Sequence, residues 1–499
     1  MNKRLSLMLI VMLLICSIAF SATNAYAERT DVRYHIVQQI VGLDPAQLDK
    51  VDILKLWQNV YENLTRDNSD GTTSMELAES ITPSEDGLTY TVAVRQGVKF
   101  HTGEEMKASD VAFSLNRALK MPCLKAFVGN ITEAVAIDDY TCEIHLSAPY
   151  SPILLDLACI PIVSEKVVTE FGDEALVTEY HNQATGAYMI TEYDGSNVKL
   201  KAFDEYWDGA PAIKDVTVTF CSDTSTSLIA FEAGEIDFLD VPSSSYKKIK
   251  ESGKYNTKEI ATNHYAFVEM NLANPILSDI RVRQACIYAV DIDAVNDIAY
   301  DGLAVSCNRI ADPAFVFGAP EDGLVYEYDP DKAIELLAEA GYPDGVDLGE
   351  FQSVNSSFYP KIVNTVAAFL EDVGIHTHIV SYENAALTPM LRAGEWTIVA
   401  QGHAGTADYN FMRNYFHSSA AATQHYVFND PKIDELFDKG AAESDPAKRA
   451  EYYAELDTIL SGEAYYIPLF HKTMLFAWDK DLNFSSGPQY YYIKDWSWN

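Results

Sequence analysis

The sequence predicts an α/β protein large enough for two or three domains, and three observations carry this. Residues 347–401 alternate strand, helix, strand, helix and strand, which implies a largely parallel sheet wrapped by helices. Residues 81–119 read as a turn, a strand, a second turn and a helix. Removing a 27-residue leader from the 499 residues leaves 472, at about 100–200 residues per domain.

The leader is residues 1–27. Lys3 and Arg4 give a positive start, 5–20 is almost wholly apolar, and Ala25-Tyr26-Ala27 offers small residues before a cut ahead of Glu28. No later stretch approaches the roughly 20 apolar residues of a spanning helix. Cys16 raises lipid attachment as an alternative, but Leu14 and Ile15 precede it where a lipidation box wants a small residue. The expectation is therefore an exported protein in a periplasm, with a lipid-anchored surface protein as the alternative.

The net charge of −37 becomes −39 once Lys3 and Arg4 leave. Such acidity repels phosphates and argues against nucleic acid or anionic membrane as partner. Six cysteines remain, Cys123, Cys142, Cys159, Cys221, Cys286 and Cys307, with no C-x-x-C spacing. A zinc ribbon or thioredoxin-type site is unsupported. Disulfides are permitted in an oxidising compartment, and small buried thiols are the alternative.

In chain order, 41–45 followed by 54–64 reads as a loop and a helix. Glu85-Asp86-Gly87 is turn chemistry, and Leu88, Tyr90, Val92 and Val94 alternate as a half-buried strand. After the turn at His101-Thr102-Gly103, Ser109 is expected to cap a helix whose stripe is Val111, Leu115, Ala118 and Leu119. Short strand and helix patterns follow at 140–146 and 167–179. Strands are expected at 198–203 and 213–221, a helix at 225–233 ended by Gly234, and another strand at 264–271. Ser278 opens a helix to Val290, and Asp329-Pro330 starts one that Gly341 stops. In the β-α-β region, Ile362, Val366, Leu370 and Val373 share one helix face, Gly374 ends that helix, and strands run over 375–382 and 396–401. Ser444-Asp445-Pro446 begins a long helix, and 465–470 returns as a strand.

The wording of 81–119 is more specific than its periodicity. DGLTYT, then R-x-GVKFH-x-GE, then SDV-x-FSL-x-R resembles the signature segment of the bacterial extracellular solute-binding proteins of family 5, the peptide- and nickel-type receptors of ABC importers. The opening LDP at 43–45, Thr185-Gly186-Ala187-Tyr188, Tyr206-Trp207-Asp208-Gly209, Gly234-Glu235 and the DIRVRQA run from Asp279 are similar to further family motifs. Ala187 stands where the family usually has proline. The resemblance implies a two-lobed periplasmic binding protein-like fold of the large type. Lobe I would comprise 28–265 plus the aromatic tail 471–499, with an inserted subdomain of roughly 62–185; lobe II would be 266–470. Two strands crossing near 267–271 and 465–470 would form a hinge. It further implies an exported receptor, monomeric and not an enzyme, that captures oligopeptides and hands them to ABC permease subunits.

The strand 396–401 ends in a loop rich in small residues, where backbone approaches a ligand closely, and ligands of open α/β sheets lie beyond the carboxyl ends of strands. Oligopeptide-binding members carry in an ADY segment an aspartate that pairs with the peptide ammonium, matched here by Ala407-Asp408-Tyr409. The candidate ligand contacts are Asp408, Tyr409, Asn410, His403 and Gly405, with Asp408 alternatively capping a helix over 409–415. A buried carboxylate without a cation is costly, so Asp408 would select a cationic ligand. Dipeptide-type members place an arginine ahead of the helix at Pro360; Asn355-Ser356-Ser357 stands there instead.

A nickel or other metal chelate is the rival ligand, since His376 and His378 face one way on a strand and His403, His417 and His425 lie near Asp408 in sequence. No H-x-x-x-H or H-E-x-x-H spacing supports it, and no metal or cofactor is assigned. A secreted hydrolase is the reading from another class, but G-x-S-x-G, G-x-x-x-x-G-K-[ST] and G-x-G-x-x-G are all absent, and no catalytic residue is assigned.

Overall fold

The computed structural model describes residues 29–37, 39, 42–47, 56–68, 72–125, 127–314, 316, 319–356, 358–404, 408–419, 430–486 and 491–499. The expected leader, Cys16, Leu54 and His425 lie outside them. Among the described residues no helix is long and apolar enough to cross a membrane.

Among the described residues eleven strands join in one sheet, and its middle is made by two long antiparallel neighbours, Asn256–Met270 and Tyr466–Trp478. On one side of this pair lie Ile398–Ala404, Val346–Val354 and Ile375–Tyr382. On the other lie Phe238–Asp240, Asp31–Ile36, Asp215–Phe220, Asn197–Ala202 and Tyr188–Tyr193. The expected parallel pairing exists where crossover helices demand it, between 346–354 and its neighbours 375–382 and 398–404. Around it the sheet is mixed, because the long pair and the hairpin at 188–202 are antiparallel.

The long strands outrun the sequence reading. Residues 256–261 are mostly polar and partly or fully exposed, so no apolar alternation marks them, yet they pair with 473–478. The second half, 265–270, is wholly buried because it is covered on both edges, by 398–403 and by 466–471. Between the halves the register slips at 262–264, a bulge that bends a strand. Thr262 Oγ1 fills it, donating to the Lys472 carbonyl at 2.9 Å and accepting from the His264 N–H at 3.1 Å.

A separate four-stranded sheet, 78–83, 89–94, 141–146 and 131–136, is covered by the helix Ala108–Ala118. That helix buries Val111, Leu115 and Ala118 as expected, but Ser109 does not cap it. Lys107 is the cap position, and the Asp110 carboxylate turns back to accept its N–H at 2.9 Å. Likewise the helix Ile280–Tyr288 is capped by Asp279, one residue after Ser278, through the Arg281 N–H at 2.9 Å. Asp329 and Asp445 cap their proline-started helices as read.

Three large apolar cores result, one under 31–36 and 188–218, one under 346–400, one inside the four-stranded sheet. The aromatic tail joins the first: Tyr491, Ile493, Trp496 and Trp498 pack there, and the Trp498 indole N–H donates to the Asp31 carbonyl at 2.9 Å. Cys142, Cys159, Cys221, Cys286 and Cys307 are free thiols.

Candidate functional site

The strand Ile398–Ala404 delivers the chain to Asp408. His403 pairs through its backbone with Tyr265, while Gly405 lies outside the described residues. At Gly402 an added Cβ would sit 2.7 Å from the Tyr359 hydroxyl and 3.0 Å from the Tyr265 carbonyl, so only glycine lets these walls close in.

Asp408 is buried and bonded on both oxygens. Arg449 meets it bidentately, Nη1 to Oδ2 at 2.5 Å and Nη2 to Oδ1 at 2.7 Å, and the Asn410 N–H donates to Oδ1 at 2.8 Å. The capping alternative is thus realised, over the short helical turns Tyr409–Met412 and Arg413–Phe416. The premise that Asp408 lacks a cation fails. Burial drags the Arg449 guanidinium down, but Asp408 and Tyr453 more than compensate and leave it raised. Arg449 also donates to the Gly440 carbonyl at 2.8 Å and the Tyr453 hydroxyl at 2.9 Å.

Tyr409 turns into the lobe interior. Its ring stacks on Tyr453 with centroids 5.1 Å apart, and its hydroxyl donates to Asp457 at 2.9 Å. Asn410 faces the other way, and its Nδ2 lies 3.5 Å from the Tyr150 hydroxyl. Tyr150 belongs to the loop after 141–146, on the four-stranded side of the molecule. The next residue reinforces the contact: the Ser151 N–H donates to the Ala441 carbonyl at 2.7 Å, and its hydroxyl bonds the Glu443 carbonyl.

Three more residues complete this wall. Asp156, in the short helix Ile153–Leu157, is buried. Burial drives its carboxyl well above the usual range, hydrogen bonding with Tyr150 opposes this, and the charges of Asp408 and Asp67 push it further up. Burial alone pushes Asp67 up to about 6. Burial also raises Cys159 well above an ordinary thiol, with Asp67 and Asp156 adding to it. The Thr65 hydroxyl donates to the Leu154 carbonyl at 2.6 Å, tying the strand of Asp67 to the helix of Asp156.

Sequence reasoning missed Asp67, Tyr150, Asp156 and Arg449. Asp156 had a signal, as the lone carboxylate inside the apolar run from Ile153 to Ile160.

His376, His378 and His417 each find acidic partners of their own. His376 bonds Glu371 and His378 bonds Asp347 at the surface, at 2.8 and 3.2 Å. His417 is buried beside Asp434 and Asp438. Among the described residues no three metal-ligating side chains gather.

Residues 72–423 match the family model described as bacterial extracellular solute-binding proteins, family 5, middle part. The chain is 28% identical over 437 residues to the dipeptide-binding protein of Escherichia coli strain K12, covering 80% of this chain and 81% of that one. It is 26% identical over 478 residues to the glutathione-binding protein GsiB of Salmonella paratyphi A, covering 91% of each. Among solved structures, NikA from Brucella suis in complex with Fe(III)-EDTA superposes with a TM-score of 0.85 at 24% identity, over 94% of this chain and all of that one.

Proposed function

The chain belongs to the bacterial extracellular solute-binding proteins of family 5, and from that membership we propose that it is the exported receptor of an ABC importer for peptides. The observation that carries the ligand class is the similarity, over most of both chains, to proteins that bind dipeptides and glutathione, both of them peptides. The ligand lies between two walls that already touch, the strand end at 402–404 with Asp408–Asn410 on one side and the loop at Tyr150 on the other. Asn410 contacts it from the first wall, beside the strand end at His403. Asp408 and Tyr409 hold that wall in place through Arg449 and Tyr453.

The receptor binds without chemical change. Lobe I, 28–265 with 471–499, and lobe II, 266–470, close by flexing the two long strands, and the ligand favours the closed state because it contacts both walls. Main-chain hydrogen bonds hold the peptide extended, so no fixed clamp at 355–357 is needed. The mature protein is a periplasmic monomer cut after Ala27, and its closed form docks on a membrane permease.

Mass spectrometry of what the purified mature protein releases on denaturation tests this reading. A mixed set of short peptides is the expected result. A single non-peptide solute or a metal chelate overturns the peptide assignment.

A further inference from the structure

Three buried acceptor oxygens meet no donor among the described residues: Oδ2 of Asp156, Oδ1 of Asp67 and Oδ1 of Asn410. Asp156 and Asn410 are 5% and 6% exposed, and the Asp67 oxygen is itself shielded from solvent. They come from three separate segments. Asp67 and Asp156 stand on the wall joined by the Thr65–Leu154 bond; Asn410 comes from the opposite one.

Tyr150 stands beside Asp156: a Cβ on Gly129 would lie 3.6 Å from the Tyr150 ring and 3.5 Å from Asp156 Oδ2. The Tyr150 hydroxyl accepts from Asn410 Nδ2 at 3.5 Å, which turns the Asn410 carbonyl oxygen away from the tyrosine with nothing to receive.

Nearby cations are committed elsewhere. Arg66 pairs with Glu76 at 2.6 Å, Arg413 with Asp438 at 2.6 Å, and Arg449 with Asp408. Two acidic side chains and an amide carbonyl, buried with oxygens that meet no donor, are the complement of a group that brings three N–H donors and a positive charge, and a cation arriving there favours the ionised form of both acids. The absence of any group of three His, Cys, Asp or Glu ligands among the described residues disfavours a metal ion.

We propose that Asp156, Asp67 and Asn410 form a receiving site for a primary ammonium group of the ligand. This rests on the reading of the protein as a solute receptor with its ligand between these walls. It moves ligand charge recognition away from Asp408, whose charge Arg449 already balances. The ammonium is supplied by a peptide amino terminus or by an amine-bearing side chain, and the two sources are separable by experiment.

The test is calorimetric titration of the ligand-stripped full mature chain, as wild type and Asp156→Asn. The probes are tetra-alanine, its N-acetylated form, N-acetyl-Ala-Ala-Lys-Ala, hexylamine and hexanol. Wild type is expected to bind the free-amine peptide on the order of ten- to hundredfold more tightly than the acetylated one, the worth of hydrogen bonds to a charged group. Asp156→Asn is expected to remove most of that gap. Recovery by the lysine peptide assigns the site to a side-chain amine and supports it equally. If no peptide binds but hexylamine binds, hexanol does not, and Asp156→Asn abolishes the difference, the site stands and the peptide reading falls. If acetylation makes no difference in wild type and hexylamine binds no better than hexanol, or if Asp156→Asn leaves the gap intact, the site is overturned while a peptide receptor can stand. Asn410→Leu, on the facing wall, is expected to narrow the same gap and serves if Asp156→Asn does not fold; an unchanged gap in it overturns the site.

Discussion

Asp408 and Arg449 are the residues on which the ligand wall depends, because both charges are buried and each is the other's counter-ion. Breaking such a pair from one side leaves an uncompensated charge, which costs about 3–5 kcal/mol. Asp408→Asn is therefore expected to lower stability to denaturant by that order, and Asp408→Asn with Arg449→Met to recover a good part of it. A loss below about 1 kcal/mol in the single variant would show that the pair does not hold the wall. At this scale the sequence was half legible. Asp408 was identified from its motif, and its capping role follows from residue type. Its cation was not, since Arg449 lies 41 positions later in a helix read only as a helix, and long-range ion pairs leave no periodic trace. Asp156 hid differently, as a charge within apolar neighbours that reads as core.

Elements show where local chemistry decides and where pairing does. Caps built from Asp followed by Pro were readable at 329–330 and 445–446 because cap and first turn are adjacent in sequence. Lys107 as cap of the helix 108–118 was not, since Asp110 supplies the bond from inside the first turn. The polar half of the strand 256–270 takes its form from its partner 473–478, and no single segment announces a pairing made 200 residues away. The motif turn at Thr185-Gly186 is an intermediate case: glycine was visible, its reason was not. A Cβ there would lie 2.5 Å from the Val60 carbonyl carbon and oxygen, while the Gly186 N–H donates to that same oxygen at 2.9 Å. Backbone cannot yield as a side-chain tip can. Gly186→Ala is expected to destabilise by roughly 2 kcal/mol or more, within the range for overpacking, read as a fall in melting temperature. An unchanged melting temperature would mean that the 59–60 segment shifts freely.

For the whole molecule, the family motifs made the class legible, because they sit at turns and caps whose geometry a fold imposes locally. The ligand was less legible, since its walls come from segments as distant as Asp67 and Asn410. One feature of the first core reaches beyond binding. Trp498 reaches the Asp31 carbonyl, and Arg29 lies over its indole with the guanidinium carbon 4.0 Å from the ring centroid. The described chain is thus nearly a closed ring, and its order of segments is a matter of where that ring is cut. A circular permutant with Asn499 joined to Arg29 by a short linker, and new termini opened in the exposed turn at Asp194-Gly195-Ser196, is expected to fold and to bind whatever the native order binds. Failure to fold would show that the order of synthesis, and not only the set of contacts, builds the first core. Success would place a fluorophore or a second domain at 194–196 without disturbing either wall, turning the molecule into a reporter of its own ligand.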